Sequence, residues 1–346
     1  MICSISTVDL FCGAGGLTYG FEQAGLSVKA GYDIDPSCRF PYEKNTKAEF
    51  ILENVEYLKG SDLAKYFSNV SIKILAGCAP CQPFSTYSRR YTDKESQWKL
   101  LQDFARLVQE CQPEIISMEN VLQLKYHLVF HEFIQQLEKL NYSFETYEVH
   151  CPDYGVPQTR KRLVLLASKF GKIDLIQPTR VTEKYETVRK AIGHLEHLSA
   201  GEESKTDRLH QCSKLSPLNL QRIRASTAGG TWRDWSKELI AKCHTKITGK
   251  SYPGVYGRME WDKPSPTITT QCFGFGNGRF GHPEQDRAIS LREAALLQTF
   301  PENYQFVAPD EPVVFSRVGR LIGNAVPVKL GEVIAQSIIQ HINQFT

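Results

Sequence analysis

From residue 4 to residue 168, apolar runs short enough to be strands alternate with stretches in which apolar residues recur every three or four positions. Residues 4–10 read as a strand, 11–16 as a tight glycine turn and 17–24 as a helix. A second strand over 28–33 ends in Asp33-Ile34-Asp35-Pro36, and Pro36 suits the first turn of a following helix. A weaker strand lies near 50–52. A β-branched run over 72–76 leads into Gly77-Cys78-Ala79-Pro80-Cys81. Helical spacing returns over 97–111, through Leu100, Leu101, Phe104, Leu107 and Val108. Residues 114–118 form another buried strand that stops at Glu119-Asn120-Val121. A helix over 127–140 follows, and 142–150 with 162–168 make a strand pair around a loop. Strands alternating with helices in this way predict an α/β fold, a doubly wound sheet with helices on both faces. In such sheets ligands bind at the carboxyl edge, so chemistry is sought where each strand ends.

Near residue 175 the pattern changes. Helical periodicity fades, and Gly, Ser, Thr, Trp and basic residues become frequent. Residues 201–260 hold eleven Lys or Arg against six Asp or Glu, together with Trp232, Trp235, Tyr252 and Tyr256. A basic, aromatic-bearing segment can bind nucleic acid; a solvated surface over a few packed aromatics is the plain alternative. Periodicity resumes over 291–298 and in an amphipathic helix over 328–342. Three segments are therefore expected: a sheet domain over 1–175, a smaller irregular domain over 176–315, and a segment over 316–346 that returns to the first.

Composition adds limits. The chain has 346 residues, 41% hydrophobic and 23% charged, with a formal charge of +3. That is ordinary for a globular protein, and the charge argues neither for nor against nucleic acid as a partner. No apolar run approaches the length of a membrane span, and Asp9 interrupts the first apolar stretch, so no membrane association is expected. The ten cysteines are scattered, with Cys78 and Cys81 the one tight pair. This is not a disulfide framework, which points to a reducing cytoplasm, and no metal is expected.

Four strand ends carry candidate chemistry. Gly13, Gly15 and Gly16 let the backbone approach a ligand closely, and amides at the helix start would face it. A dinucleotide fingerprint wants a further glycine where this chain has Thr18. Asp33, ending the second strand, is placed to bind ribose hydroxyls. Cys78 and Cys81 allow a structural thiol, a redox or metal Cys-x-x-Cys, or one nucleophilic thiolate. Glu119 ends an apolar strand at the same edge, where partial desolvation suits a proton donor; a turn cap is the plain alternative. In Gln158-Thr-Arg-Lys-Arg162, Arg160 and Arg162 alternate with Thr159 and Lys161, so both guanidinium groups are expected on one face, suited to phosphate or a base carbonyl.

Taken in order, these stretches resemble the DNA cytosine-5 methyltransferases of the bacterial restriction-modification type. The matches are Asp9-Leu-Phe-Cys-Gly-Ala-Gly-Gly16, Asp33-Ile-Asp35, Pro80-Cys-Gln82 with Phe84-Ser85, Glu119-Asn-Val121 and Gln158-Thr-Arg-Lys-Arg162. Arg292-Glu-Ala-Ala295, Phe300-Pro301 and Gly323-Asn-Ala-Val-Pro327 complete the series. The resemblance implies a Rossmann-like, S-adenosylmethionine-dependent methyltransferase sheet over 1–175 and a target-recognition domain over 176–315. It implies a cofactor site at Phe11, Cys12, Gly13, Gly15, Gly16, Asp33, Ile34, Asn54, Pro80, Asn324 and Ala325. Cys81 would attack carbon 6 of cytosine, Glu119 would protonate or hydrogen-bond ring nitrogen 3, Arg160 would hold the base carbonyl, and Arg162 would brace the loop or a phosphate. The base must leave the duplex to reach these groups, and residues 82–94 are read as a loop that closes on DNA.

The chain departs from the family at Asn54, where an Asp is usual, at Ile34, where some members carry an aromatic, and at Ala79. The expected partner is double-stranded DNA, met by a monomer, with a cognate restriction endonuclease acting separately. The rival readings are a tRNA cytosine-5 methyltransferase of the same fold, a thiol or nucleotide oxidoreductase, and a catalytically silent DNA-binding relative. The ordered motifs argue against the oxidoreductase. The basic segment and the Pro-Cys-Gln triplet favour DNA over tRNA.

Overall fold

Each apolar run of the first half becomes a strand of one sheet. The computed structural model describes residues 4–80, 95–181, 184–246 and 249–345, with 95–98 described by backbone alone. The strands are β1 (Ile5–Leu10), β2 (Val28–Asp33), β3 (Glu49–Leu52), β4 (Ile72–Gly77), β5 (Ile115–Asn120), β6 (Ser143–His150) and β7 (Lys161–Ser168). Their order is β3-β2-β1-β4-β5-β7-β6. The first five are parallel, and β7 runs antiparallel to both β5 and β6. The helices are α1 (Gly16–Gln23), α2 (Arg39–Asn45), α3 (Gly60–Phe67), α4 (Glu95–Cys111), α5 (Leu128–Lys139), α6 (Val188–Ile192), α7 (Pro217–Arg224), α8 (Lys242–Thr245), α9 (Leu291–Leu297), α10 (Phe315–Asn324) and α11 (Val328–Ile342). No helix among the described residues is long and apolar enough to cross a membrane.

Two compact units divide the chain. The first joins residues 1–154, 161–179 and 325–346; the second joins 155–160 and 180–324. The expected boundary at 175/176 falls at 179/180. The one expected at 315/316 falls at 324/325, because α10 packs with α9 inside the second unit. Residues 155–160, expected with the sheet, belong to the second unit: Gln158 bridges to Ser265, and the Thr159 amide donates to the Ser265 carbonyl at 2.8 Å.

In the first unit, β5 is buried along its whole length and β4 nearly so, as expected of parallel strands covered on both faces. One face packs Val8, Leu75, Ile116 and Leu165 against Phe104, Leu107 and Val108 of α4 and Phe133 and Leu137 of α5. Helix α11 packs against α1. Gly20 of α1 meets the Val328 backbone so closely that no side chain fits there. The cover of α1 therefore comes from the far end of the chain.

The second unit has no named strand among the described residues, only isolated bridges and short helices. Its backbone carbonyls are satisfied by arginines instead. Arg258, 5% exposed, donates to the carbonyls of Ser226 and Ile223 (2.9 Å each), His282 (3.0 Å) and Gln285 (2.6 Å), and pairs with Asp286. Arg287 is fully buried and holds Glu293 through two bonds of 2.7 Å. Glu293 in turn caps α9 with Ser290. Arg287 and neighbouring donors keep the Glu293 carboxyl below its usual range although burial opposes this, and burial pushes His282 down to about 3. A small apolar core of Ile223, Trp232, Trp235, Phe275 and Ala288 completes the unit.

Candidate active site

The glycine turn leaves β1 through an unusual backbone. Phe11, Gly13 and Gly15 all have positive φ, at 60°, 54° and 89°. Such a run turns successive amides to one side, a geometry that a Cβ resists. A side chain on Gly13 would meet nothing within 4 Å, so its constraint is conformational rather than spatial. Parallel pairing of Leu10 with Tyr32 brings the turn beside the end of β2. There Asp33 accepts the Gly13 amide through Oδ2 and the Asp35 amide through Oδ1, each at 2.9 Å. Burial raises the Asp33 pKa against those two hydrogen bonds.

Behind the turn lies a buried polar chain. Asp9 accepts the Thr18 hydroxyl at 2.7 Å, and Thr18 Oγ1 lies 2.9 Å from the Tyr42 hydroxyl. Burial pushes Asp9 up to about 7, with the Thr18 bond opposing and the Asp33 charge adding. Thr18, standing where a dinucleotide fingerprint would have glycine, is thus tied to β1 and α2.

Asp33 pairs with Leu52 across β2 and β3. Ile34 (66% exposed) and Leu52 (44%) present apolar surface at that edge. Asn54 follows, half-buried, with Oδ1 accepting the Glu56 amide at 3.0 Å. Cys12 is buried, its thiol pushed up by burial and then by Asp9 and Asp33. Gly15 is the N-cap of α1 and Gly16 its first residue.

The second constellation follows from sheet register. Gly77 of β4 pairs with Met118 of β5, so the next residues, Cys78 and Glu119, emerge side by side. On the other flank Glu119 pairs with Val164 of β7, and Arg162 lies two residues before it. Glu119 is 2% exposed. Its Oε2 accepts the Cys78 thiol at 2.7 Å, and Arg162 Nε stands 2.8 Å from its Oε1. That ion pair is close without hydrogen-bond alignment, since Oε1 has no hydrogen-bond partner among the described residues. Asn120 Nδ2 donates to the Ala79 carbonyl at 3.0 Å and fastens the segment after β4 to β5. Pro80 follows, exposed. Cys81 and the segment 82–94 lie outside the described residues.

Strand alternation applies to only one of the two arginines. β7 begins at Lys161, so Arg160 precedes the strand. It is 3% exposed within the second unit, where Nη1 donates to the Ile268 carbonyl at 3.2 Å. Gln158, fully buried, donates to the Leu297 carbonyl (2.9 Å) and accepts the Ile268 amide (3.0 Å). Arg162 belongs to the first unit, with its Nε beside Glu119 Oε1; the loop it was expected to brace lies outside the described residues. Asn324 is the exposed last residue of α10 in the second unit, and Ala325, 8% exposed, opens the returning segment of the first.

The aromatics of the basic segment mostly serve packing. Trp232 and Trp235 are 6% exposed in the core of the second unit, with Tyr256 against them; Tyr252 is 46% exposed. Of the eleven basic residues, Arg222 and Arg258 are buried. Sequence reasoning missed Cys78 as a partner of Glu119. The available signal was that both residues stand one position beyond neighbouring parallel strands.

The family model described as C-5 cytosine-specific DNA methylase matches residues 5–340. The chain is 54% identical over 336 residues to the type II methylase M.HgiDII of Herpetosiphon aurantiacus, covering 96% of this chain and 94% of that one. It is 30% identical over 345 residues to the type II methyltransferase M1.HphI of Haemophilus parahaemolyticus, covering 97% and 87%. Among solved structures it resembles a candidate DNA modification methyltransferase encoded within an Escherichia coli prophage, with a TM-score of 0.74 at 23% identity over 98% of this chain and 100% of that one. The last likeness concerns the fold.

Proposed function

The chain belongs to the C-5 cytosine-specific DNA methylases, and from that premise we propose that it methylates carbon 5 of a flipped-out cytosine in a specific double-stranded DNA sequence, as the modification half of a restriction-modification system. The observation that supports this most is Glu119 at the carboxyl edge, 2% exposed and held between Cys78 and Arg162.

Carbon 5 of cytosine is a poor nucleophile because the ring is electron-poor. Thiolate attack at carbon 6 makes carbon 5 enamine-like, and covalent catalysis divides one hard step into easier ones. Cys81, one residue past Pro80, is the proposed nucleophile. Glu119 supplies a proton or hydrogen bond to ring nitrogen 3, drawing electron density from carbon 6 as the thiolate adds. Arg162 sets a positive charge beside the Glu119 carboxyl, and Arg160 holds the base carbonyl. Loss of the carbon 5 proton after methylation expels the Cys81 thiolate. The base must first leave the stack, at a cost of a few kcal/mol.

S-adenosylmethionine, the family's methyl donor, supplies an electrophilic sulfonium methyl when bound. The residues present fit it. Open space at Gly13 and the run of positive φ form a backbone cradle. Asp33 stands at the ribose position with lone pairs beyond those given to two amides, and Ile34 and Leu52 offer an apolar edge for a purine. Phe11, Cys12, Gly15 and Gly16 shape the cradle, while Asn54, Pro80, Asn324 and Ala325 are its proposed outer contacts. Residues 176–315 are proposed to recognise the DNA sequence.

The test is a trap. Fluorine at carbon 5 cannot leave as a cation, so duplex DNA with 5-fluorocytosine at the target should hold the protein covalently when S-adenosylmethionine is present. Cys81→Ser should form no adduct, because a hydroxyl is far less ionised than a thiol. Adduct formation by Cys81→Ser, or methyl incorporation into tRNA but not DNA, would overturn the reading.

A further inference from the structure

Cys78 differs from the buried thiols. The thiols of Cys12, Cys212 and Cys272 are buried, with pKa values pushed up by desolvation. Cys78 is only half-buried, and its thiol meets the one carboxylate placed for the chemistry, 2.7 Å from Glu119 Oε2. Backbone order fixes that contact. The Cys78 amide donates to the Leu10 carbonyl at 3.3 Å, which holds the residue against the end of β1. The Asn120 side chain holds the next carbonyl, that of Ala79, from β5. Between those two anchors the Cys78 side chain is set beside Glu119 by the same parallel register that pairs Gly77 with Met118.

We infer that Cys78 is a positioning residue for Glu119, its thiol orienting the carboxylate through Oε2 so that Oε1 remains for the proton exchanged with the base; the inference rests on the methyltransferase reading above. Among the described residues, the charged or titratable groups facing Glu119 are Cys78 from the end of β4 and Arg162 from β7. Arg162 Nε is close to Oε1 but poorly aligned with it, so alignment of the carboxylate falls to the thiol. Removing the thiol frees the carboxylate to rotate, which slows the step that needs Glu119 without touching substrate or cofactor contacts. A hydroxyl in place of the thiol restores the donor.

The experiment measures single-turnover methylation of target duplex DNA by the full chain, with DNA and S-adenosylmethionine affinities and thermal unfolding in parallel. Cys78→Ala is expected to slow the methylation step about tenfold and leave both affinities within about twofold. Cys78→Ser should recover most of the rate. If Cys78→Ala does not fold, Cys78→Val, with no donor, takes its place. A donor-free variant with the wild-type rate overturns the inference while leaving the methyltransferase reading intact. So does equal slowing of the Ser and Ala variants, the mark of simple packing loss. Failure of the wild-type protein to methylate DNA sinks the reading on which the inference depends, a distinct result.

Discussion

The two units solve the same problem, the satisfaction of buried backbone, by opposite means. In the first unit seven strands pair their amides and carbonyls with one another, and side chains stay free for chemistry at the strand ends. In the second unit no sheet forms among the described residues, and guanidinium forks take its place. Arg258 alone satisfies four carbonyls. Arg208 reaches the carbonyls of Ala308, Pro309 and Glu311, and Arg292 joins Asp207 to the Tyr304 carbonyl. Position in the first unit is thus written in register, and in the second in side chains. Basic charge counted along a sequence is therefore not the charge offered to a partner, because part of it is engaged inside the unit that carries it.

The sharpest way to break this contrast is to remove an internal counter-charge. Glu293→Ala leaves fully buried Arg287 without its carboxylate, a change worth about 3–5 kcal/mol. Methylation should disappear and the second unit should melt early. S-adenosylmethionine binding, proposed to rest on the first unit apart from an outer contact at Asn324, should survive in calorimetry, and its loss would mean that the units are not energetically separable in this way.

Asp9 offers the reverse case, a buried carboxyl with no cation beside it. Its Oδ1 lacks a hydrogen-bond partner among the described residues, and burial lifts its pKa to about 7. The folded protein therefore holds the Asp9 proton more tightly than the unfolded chain does. The stability this adds is full below the ordinary carboxylate pKa and is lost as pH rises through 7, by about 4 kcal/mol in all. Asp9→Asn, neutral and of the same shape, should flatten that slope. Its unfolding midpoint should match wild type near pH 4 and exceed it near pH 8; parallel curves would show that Asp9 is not protonated in the fold.

The smallest effect is expected at the glycine turn. Gly15 sits at φ 89°, where a β-branched side chain costs about 1–2 kcal/mol. Gly15→Val should lower S-adenosylmethionine affinity about tenfold, and undiminished affinity in a folded variant would move the cofactor elsewhere.

What the sequence showed followed the same division. β2 and α11 match the expected strand and helix end to end, since apolar runs and amphipathic spacing are local signals. The glycine turn, Asp33 and Glu119 were legible because each ends an apolar run. Helix α3, with Leu63 its one buried residue, gave too little apolar pattern to read. Strand alternation was applied to both Arg160 and Arg162, but the strand starts at Lys161 and so contains Arg162 alone. Trp232 and Trp235 looked available to a nucleic acid and are packed instead. Nothing within a short window could show this, because the partners of that region's side chains lie far along the chain, as Arg208 and Ala308 do.

The embrace of α1 by α11 also bears on how the protein is made. A ribosome emits α1 early, yet its cover arrives only after every residue of the second unit has been translated. Until then the side of α1 that carries Gly20 lacks the helix that covers it in the finished fold. The nascent first unit must wait, exposed to chaperones and proteases, while the irregular unit is completed. Messages cut short between the second unit and α11 yield chains that carry the proposed nucleophile and cofactor turn but leave the helix behind that turn uncovered, so even a stop this late is expected to abolish methylation.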